Sequence, residues 1–196
     1  MIHIPHMLLI GSTGRNSGKT TLAAAFIHQW REHYPIFGLK ITSTDRRAEC
    51  PRGGQGCGAC HSFASHFELL EETSKNSGKD TSVLLEAGCE KVYWLKSLKP
   101  HIGEGIRHFL TLMPGDSLIV CESNSLRTVA NPGVFVMLDN TDKYDAKESS
   151  IGVMDKADIV IQGSLNGHIR RILDDIEIDR HINALTIRKR AVHMER

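Results

Sequence analysis

Between Ser12 and Thr21 the chain reads Ser12-Thr13-Gly14-Arg15-Asn16-Ser17-Gly18-Lys19-Thr20-Thr21. Glycines, small hydroxyl residues and one lysine just ahead of two threonines are the parts of a loop that grips phosphate. Backbone N–H groups in such a loop point inward at the anion, and the positive end of a following helix adds to the attraction. Lys19 would reach the β- and γ-phosphates of a nucleotide, and the Thr20 hydroxyl would hold Mg²⁺. Gly14, Arg15, Asn16, Ser17, Gly18, Lys19, Thr20 and Thr21 are therefore the candidate nucleotide contacts. The usual spacing puts a glycine where Thr13 stands, with Gly11 and Gly14 on either side. Either the loop is longer than usual or Thr13 tolerates the turn. The competing reading is a glycine-rich turn that merely opens a helix.

A phosphate loop with magnesium needs a carboxylate beside it. Ser117-Leu118-Ile119-Val120-Cys121-Glu122 is an apolar strand that ends in an acid. This is the Walker B form, in which a strand delivers a carboxylate to the metal. Glu122 is thus a candidate both for Mg²⁺ and for activating a nucleophile, and Ser123-Asn124-Ser125 follow it on the same edge. Thr44 or Asp45, after a second apolar run, can reach Mg²⁺ or the γ-phosphate as switch loops do. Asp80 is either such a contact or, with Thr81, the N-cap of a helix. The catalytic candidates are Lys19, Glu122 and Asp80; Thr20, Glu122 and Asp45 are the candidates for magnesium.

A second chemistry is written in Glu49-Cys50-Pro51-Arg52-Gly53-Gly54-Gln55-Gly56-Cys57-Gly58-Ala59-Cys60-His61. Two residues between Cys57 and Cys60 let both thiolates point at one ion, and Cys50 can supply a third. His61, His66 or Cys89 can complete a Zn²⁺ site, and a non-cysteine ligand can also complete an iron–sulfur cluster. The Cys57-Gly-Ala-Cys60-His61 run matches a haem attachment pattern, which a cytoplasmic chain with a nucleotide loop makes a poor fit. Free thiols on a loop are the plain alternative.

These residues need strands and helices to hold them. Met7 to Ile10 reads as a buried strand, Lys19 to about His33 as a helix, and Ile36 to Ile41 as a second strand. Ser62 to Glu72 reads as a short helix with Phe63, Phe67 and Leu70 inward. Lys79 to Cys89 reads as a helix stopped at Gly88, and Lys91 to Leu95 as a strand. A helix from Pro100 to Leu112 carries Ile102, Ile106, Phe109 and Leu110 on one side. Asn131-Pro132-Gly133 reads as a turn before strand Val134–Leu138, and Asp158–Ile161 as a further strand. Ile169, Ile172, Leu173 and Ile176 have helical spacing, and Arg188-Lys189-Arg190 reads as a solvated end. Strands alternating with helices predict a three-layer α/β domain over residues 1–196, with a mostly parallel sheet, helices on both faces and a cysteine-rich insert.

The bulk numbers narrow the field. The chain has 196 residues, a net charge of +1 and five cysteines. The charge gives no field for nucleic acid. No apolar run has transmembrane length, and Met1-Ile2-His3-Ile4-Pro5-His6 lacks the features of a signal peptide. The expected compartment is the cytoplasm, where cysteines serve more often as metal ligands or free thiols than as disulfides.

The run Gly14-Arg15-Asn16-Ser17-Gly18-Lys19-Thr20-Thr21-Leu22 resembles the P-loop of the molybdopterin-guanine-dinucleotide biosynthesis protein B family. Gly78-Lys79-Asp80-Thr81 with Ala87-Gly88, and Val120-Cys121-Glu122-Ser123-Asn124, are similar to two further segments of that family. The resemblance spans roughly residues 7–165. It implies a P-loop GTPase-like fold that binds GTP with Mg²⁺, usually as a homodimer, beside proteins of molybdenum-cofactor maturation. It carries over Gly14, Asn16, Ser17, Gly18, Lys19 and Thr20 as phosphate and magnesium contacts, Asp80 as a turn residue and Glu122 as the acid. Ile41-Thr42-Ser43 stand where the family has a histidine, Cys89 replaces an alanine, and the cysteine insert is extra. The chain thus reads as a divergent member. ATP is not excluded in favour of GTP, since Gln162-Gly163-Ser164 stands where many GTPases carry Asn-Lys-x-Asp. Two other functions compete. One is a metallochaperone-type GTPase that carries Zn²⁺, Ni²⁺ or an iron–sulfur cluster on the Cys50–Cys60 stretch. The other is an ATP-dependent ligase or kinase like dethiobiotin synthase.

Overall fold

A computed structural model describes residues 1–45, 65–140, 146–165, 167–181 and 184–191. The cysteine-rich stretch with Cys50, Cys57, Cys60 and His61 lies outside the described residues.

Seven strands form one sheet in the order β3-β4-β2-β5-β1-β6-β7. Their ranges are β1 Ile2–Ser12, β2 Ile36–Thr44, β3 Phe67–Glu72, β4 Lys91–Leu98, β5 Leu118–Glu122, β6 Ala130–Asp139 and β7 Ile159–Gln162. All neighbours run parallel except β3, which pairs antiparallel with β4 on the edge. The helices are α1 Lys19–Trp30, α2 Asp80–Ala87, α3 Ile102–Leu110, α4 Glu148–Ile151 and α5 Ile169–Asp174. A hairpin, β8 Ile176–His181 with β9 Ala184–Lys189, closes the described chain.

Alternation along the strands builds two cores. Leu8 and Ile10 of β1 face one side, where they join Leu22, Phe26 and Ile27 of α1 and Leu84 of α2. Met7 and Leu9 face the other, where Ile102, Ile106 and Phe109 of α3 cover them. Continuous apolar runs such as Met7–Ile10 and Leu118–Cys121 are fully buried because helices lie on both faces. The result is the expected α/β architecture, with a mostly parallel sheet between helical layers.

Several element expectations need correction. Residues Phe67 to Glu72 form an edge strand and not a helix. The 63-67-70 spacing loses to pairing with β4, which turns Phe67 and Leu69 toward the core and leaves Leu70 37% exposed. Glu68 and Glu71 pair with Lys96 and Lys91 of β4 at 3.2 Å each. Asn131-Pro132-Gly133 lies inside β6 rather than in a turn before it. Pro132 sits opposite Ile4, beside the register shift of β1 between Ile4 and Leu8, where a missing N–H is tolerated.

Ile176 does not extend α5 but begins β8. Its hairpin packs on the first half of β1 and β6, so closely that a Cβ on Gly133 would lie 2.1 Å from the Pro5 carbonyl oxygen and 2.3 Å from that of Ile187. The basic end is structured as well: Arg188 pairs with Glu177 at 3.0 Å and Asp179 at 2.6 Å, and Arg190 with Glu177 at 2.8 Å. At α2 the N-cap is Lys79, not Asp80 or Thr81. Gly88 does stop that helix in a left-handed conformation at φ 114°, as read from sequence. Among the described residues no helix is long and apolar enough to cross a membrane.

Candidate functional site

Three strands end together. Ile10 of β1 and Lys40 of β2 both lie in register with Glu122 of β5. In a doubly wound sheet the C-terminal edge, where strand order departs from chain order, is where ligands bind. Here β5 separates β1 from β2, and a cavity of about 630 Å³ opens above that point. Ser12, Arg15 to Thr21, Lys40 to Ser43, Asp80, Lys99, Glu122 to Ser125, Lys147 and Ser149 line it.

The glycine-rich loop is shaped for inward N–H groups. Asn16 at φ 51° and Gly18 at φ 86° are left-handed, and such a backbone turns successive amides toward one concavity. Gly18 must remain glycine on two counts, its φ and a Leu165 methyl only 2.8 Å from where a Cβ would sit. Helix α1 starts at Lys19, straight out of the loop, with no side-chain cap on its first turn. Its free N–H groups and the positive end of its dipole therefore face the cavity.

Thr13, the departure from the usual spacing, has a job of its own. It is 1% exposed. Its hydroxyl donates to the Asp139 carboxylate at 3.1 Å and accepts from the Asn140 N–H at 2.8 Å. Its own N–H reaches the Leu138 carbonyl. Neither Thr13 nor Gly14 is left-handed, so the first glycine of the usual pattern is not required here. The loop is instead stitched to the end of β6.

Other bonds hold the loop open. Ser12 and Ser17 hydroxyls both donate to the Gly14 carbonyl at 2.9 Å. The Asn124 amide clamps Ser12 from both sides, accepting from its N–H at 2.8 Å and donating to its carbonyl at 2.9 Å. Lys147 donates from its ammonium to Gly14 and from its backbone to Thr13. Neither support has a local sequence signal: Asn124 follows the acid on the same strand edge, and Lys147 carries no pattern of its own.

Lys19 and Glu122 are the charged centre. Lys19 Nζ donates to Ser12 Oγ at 2.8 Å. Burial pulls its ammonium below the usual lysine range, and the Glu122 carboxylate works in the opposite direction. Glu122 is 4% exposed, and its Oε1 has no hydrogen-bond partner among the described residues. A buried carboxylate oxygen without a donor costs free energy, on the order of 1–3 kcal/mol. A hard cation or a water on it would remove that cost. The Thr20 hydroxyl borders the same space, so the oxygen donors fit Mg²⁺.

The two remaining acids separate. Asp80 lines the cavity, where the Lys40 ammonium pairs with its carboxylate. Asp45 pairs with Lys99 at 2.8 Å at the rim, and both are exposed. Arg15, Lys19, Lys40, Lys99 and Lys147 bring five cationic side chains to the cavity against Asp80 and Glu122, a balance that attracts a polyanion. Gln162, which stands where many GTPases carry Asn-Lys-x-Asp, borders a second cavity of about 430 Å³ with His168, Arg171 and Lys189.

Of the proposed metal ligands, Cys89 is poorly suited to bind as a thiolate. It is buried in the α1 face of the core, and burial pushes its thiol up to about 12, so a thiolate is disfavoured there. His66, the residue before β3, stands beside His101 and Glu104, a grouping with no local signal because His66 is distant in the chain from the His101–Glu104 pair.

Comparison with protein-family models, with curated proteins and with solved structures found no match. The fold and site define the class: an α/β protein with a polar, cation-rich cavity at the C-terminal edge of a mostly parallel sheet.

Proposed function

We propose that the chain binds a nucleoside triphosphate with Mg²⁺ in this cavity and hydrolyses it slowly. One observation carries the reading. Positive φ at Asn16 and Gly18 leads directly into α1, and on the same cavity Glu122 carries a buried carboxylate oxygen, Oε1, with no hydrogen-bond partner among the described residues. The loop amides and the α1 N-terminus receive the β-phosphate, and Lys19 leaves Ser12 Oγ to meet the β- and γ-phosphates. Thr20 and Glu122 hold the magnesium, which when bound neutralises charge on the phosphate oxygens. Glu122 orders the water on its side of the γ-phosphate, and the Lys40–Asp80 pair lines the same cavity. GTP and ATP are both within reach of this reading.

The role beside molybdopterin-cofactor maturation, and a homodimeric state, are supported by the sequence resemblance alone. Calorimetric titration of GTP and of ATP, each with Mg²⁺, tests the nucleotide reading. The wild type should bind at least one of them. Lys19→Ala should lose about 2–3 kcal/mol, roughly 30- to 150-fold in affinity, as charge-assisted bonds to phosphate disappear. Glu122→Gln should keep the nucleotide but abolish the benefit of adding Mg²⁺. Equal affinity in wild type and Lys19→Ala would remove the proposal.

A second reading, a nucleotide-controlled metal carrier, is favoured by the His66, His101 and Glu104 group, whose His101 follows the cavity-lining Lys99 by two residues. A protein purified anaerobically with no bound metal and no capacity for it would exclude that reading.

A further inference from the structure

We infer that His66, His101 and Glu104 form a binding site for a first-row transition-metal dication of the Zn²⁺ type. One potential ligand atom from each residue lies within 4.8 Å of the other two. Two separate places in the chain supply them: the residue before β3, and the start of α3, where His101 ends the 3₁₀ turn Lys99–His101 and Glu104 lies in the first helical turn. The two imidazoles stack with centroids 3.8 Å apart and planes 25° from parallel. His101 Nδ1 lies 2.8 Å from Glu104 Oε1.

Two imidazole nitrogens and one carboxylate are a donor set that suits Zn²⁺ and its neighbours. Around a tetrahedral ion, ligand atoms at about 2.0–2.1 Å from the metal sit about 3.4 Å apart. The observed spread therefore needs to close by little more than about 1 Å. His66 and Glu104 are exposed and His101 half-buried, so side-chain rotation supplies that movement cheaply. The backbone beneath is fixed: the His66 carbonyl accepts from the Leu98 N–H at 3.0 Å, and Lys99 is tied to Asp45. Three protein donors leave one position open, as catalytic and exchangeable zinc sites do. The inference does not rest on the nucleotide reading.

The test uses the full chain with Cys50, Cys57 and Cys60 changed to Ser, so that thiolates cannot bind the probe. Zn²⁺ is titrated by calorimetry and Co²⁺ by visible absorption. The site predicts one Zn²⁺ per chain and a cobalt spectrum of nitrogen and oxygen ligands without a thiolate charge-transfer band. His66→Ala and His101→Ala should each abolish the binding, and Glu104→Gln should weaken it at least roughly 10- to 100-fold, the loss seen even for residues that only support a ligand. His33→Ala, at an exposed histidine on the C-terminal side of α1, and Lys19→Ala should leave it unchanged. Circular dichroism checks each fold. If the serine background does not fold, the histidine variants are compared in the native cysteine background by the same cobalt bands. No Zn²⁺ uptake, or uptake indifferent to His66→Ala and His101→Ala, would overturn the inference.

Discussion

Beside the C-terminal end of β1 the Glu122 carboxylate is buried with one oxygen unmatched among the described residues, and a buried lysine stands near it. Along the first half of the same strand the charges of the β8–β9 hairpin are matched. Arg188 and Arg190 pair with Glu177, Arg188 also with Asp179, and Lys189 donates to the Asp158 carbonyl at 2.8 Å. Both regions are rich in charge, but only one leaves it unspent under cover. Exposed, matched pairs contribute little and mark a surface that closes the sheet. A buried group held without a partner is kept at a cost, and such costs concentrate where a ligand supplies the missing contact.

Changes at the two regions should therefore separate stability from binding. Gly133→Ala drives a Cβ into two backbone carbonyls under the hairpin. We expect a loss of about 3 kcal/mol or more in denaturant unfolding, with nucleotide affinity retained wherever the protein is still folded. A normal midpoint would mean that the hairpin does not sit as close as described. Asn124→Ala removes both bonds to Ser12 and leaves a Ser12 N–H without its acceptor. It should cost about 1–3 kcal/mol of stability and also weaken nucleotide binding, because the clamped strand end carries the loop. A change in stability alone would reduce Asn124 to a packing residue.

The pH dependence of binding sharpens the contrast further. Burial lowers the Lys19 ammonium below its ordinary 10.5. Between the lowered value and the ordinary one the unfolded chain holds more protons than the folded one, so this group's contribution to stability rises with pH. Phosphate binding needs the charged form. Affinity should therefore fall on the alkaline side before free lysine titrates, with proton uptake on binding seen as a buffer-dependent heat. A flat profile up to the ordinary lysine range would contradict the buried position. The smallest effect should come from Arg188→Ala, whose pairs are exposed; we expect less than about 1 kcal/mol in unfolding and no change in binding.

Much of the upper edge is legible in the sequence because its signals are local. The Asn16-Ser17-Gly18-Lys19 run sets a left-handed turn before a helix. The apolar strand before Glu122 announces where the acid will stand. Gly88 ends α2 by the same local logic. What escaped reading is set by distant pairing. Phe67–Glu72 has a pattern that suits a helix until β4 offers an edge. Ile176-Glu177-Ile178-Asp179 and Leu185-Thr186-Ile187-Arg188 alternate with a period of two, a strand signal hidden behind the helical spacing that precedes it. The Asn124 clamp joins residues 112 apart, and the His66–His101–Glu104 group joins three elements. Neither the clamp nor the meeting of His66 with the local His101–Glu104 pair leaves a trace at short range.

The most direct measurement is diffraction from crystals grown with Mg²⁺ and a non-hydrolysable GTP or ATP analogue. The account predicts a β-phosphate within the loop of residues 12–18, magnesium between Thr20 and Glu122, and Lys19 Nζ moved from Ser12 Oγ to the phosphates. A triphosphate bound elsewhere, with Lys19 still on Ser12, would contradict it.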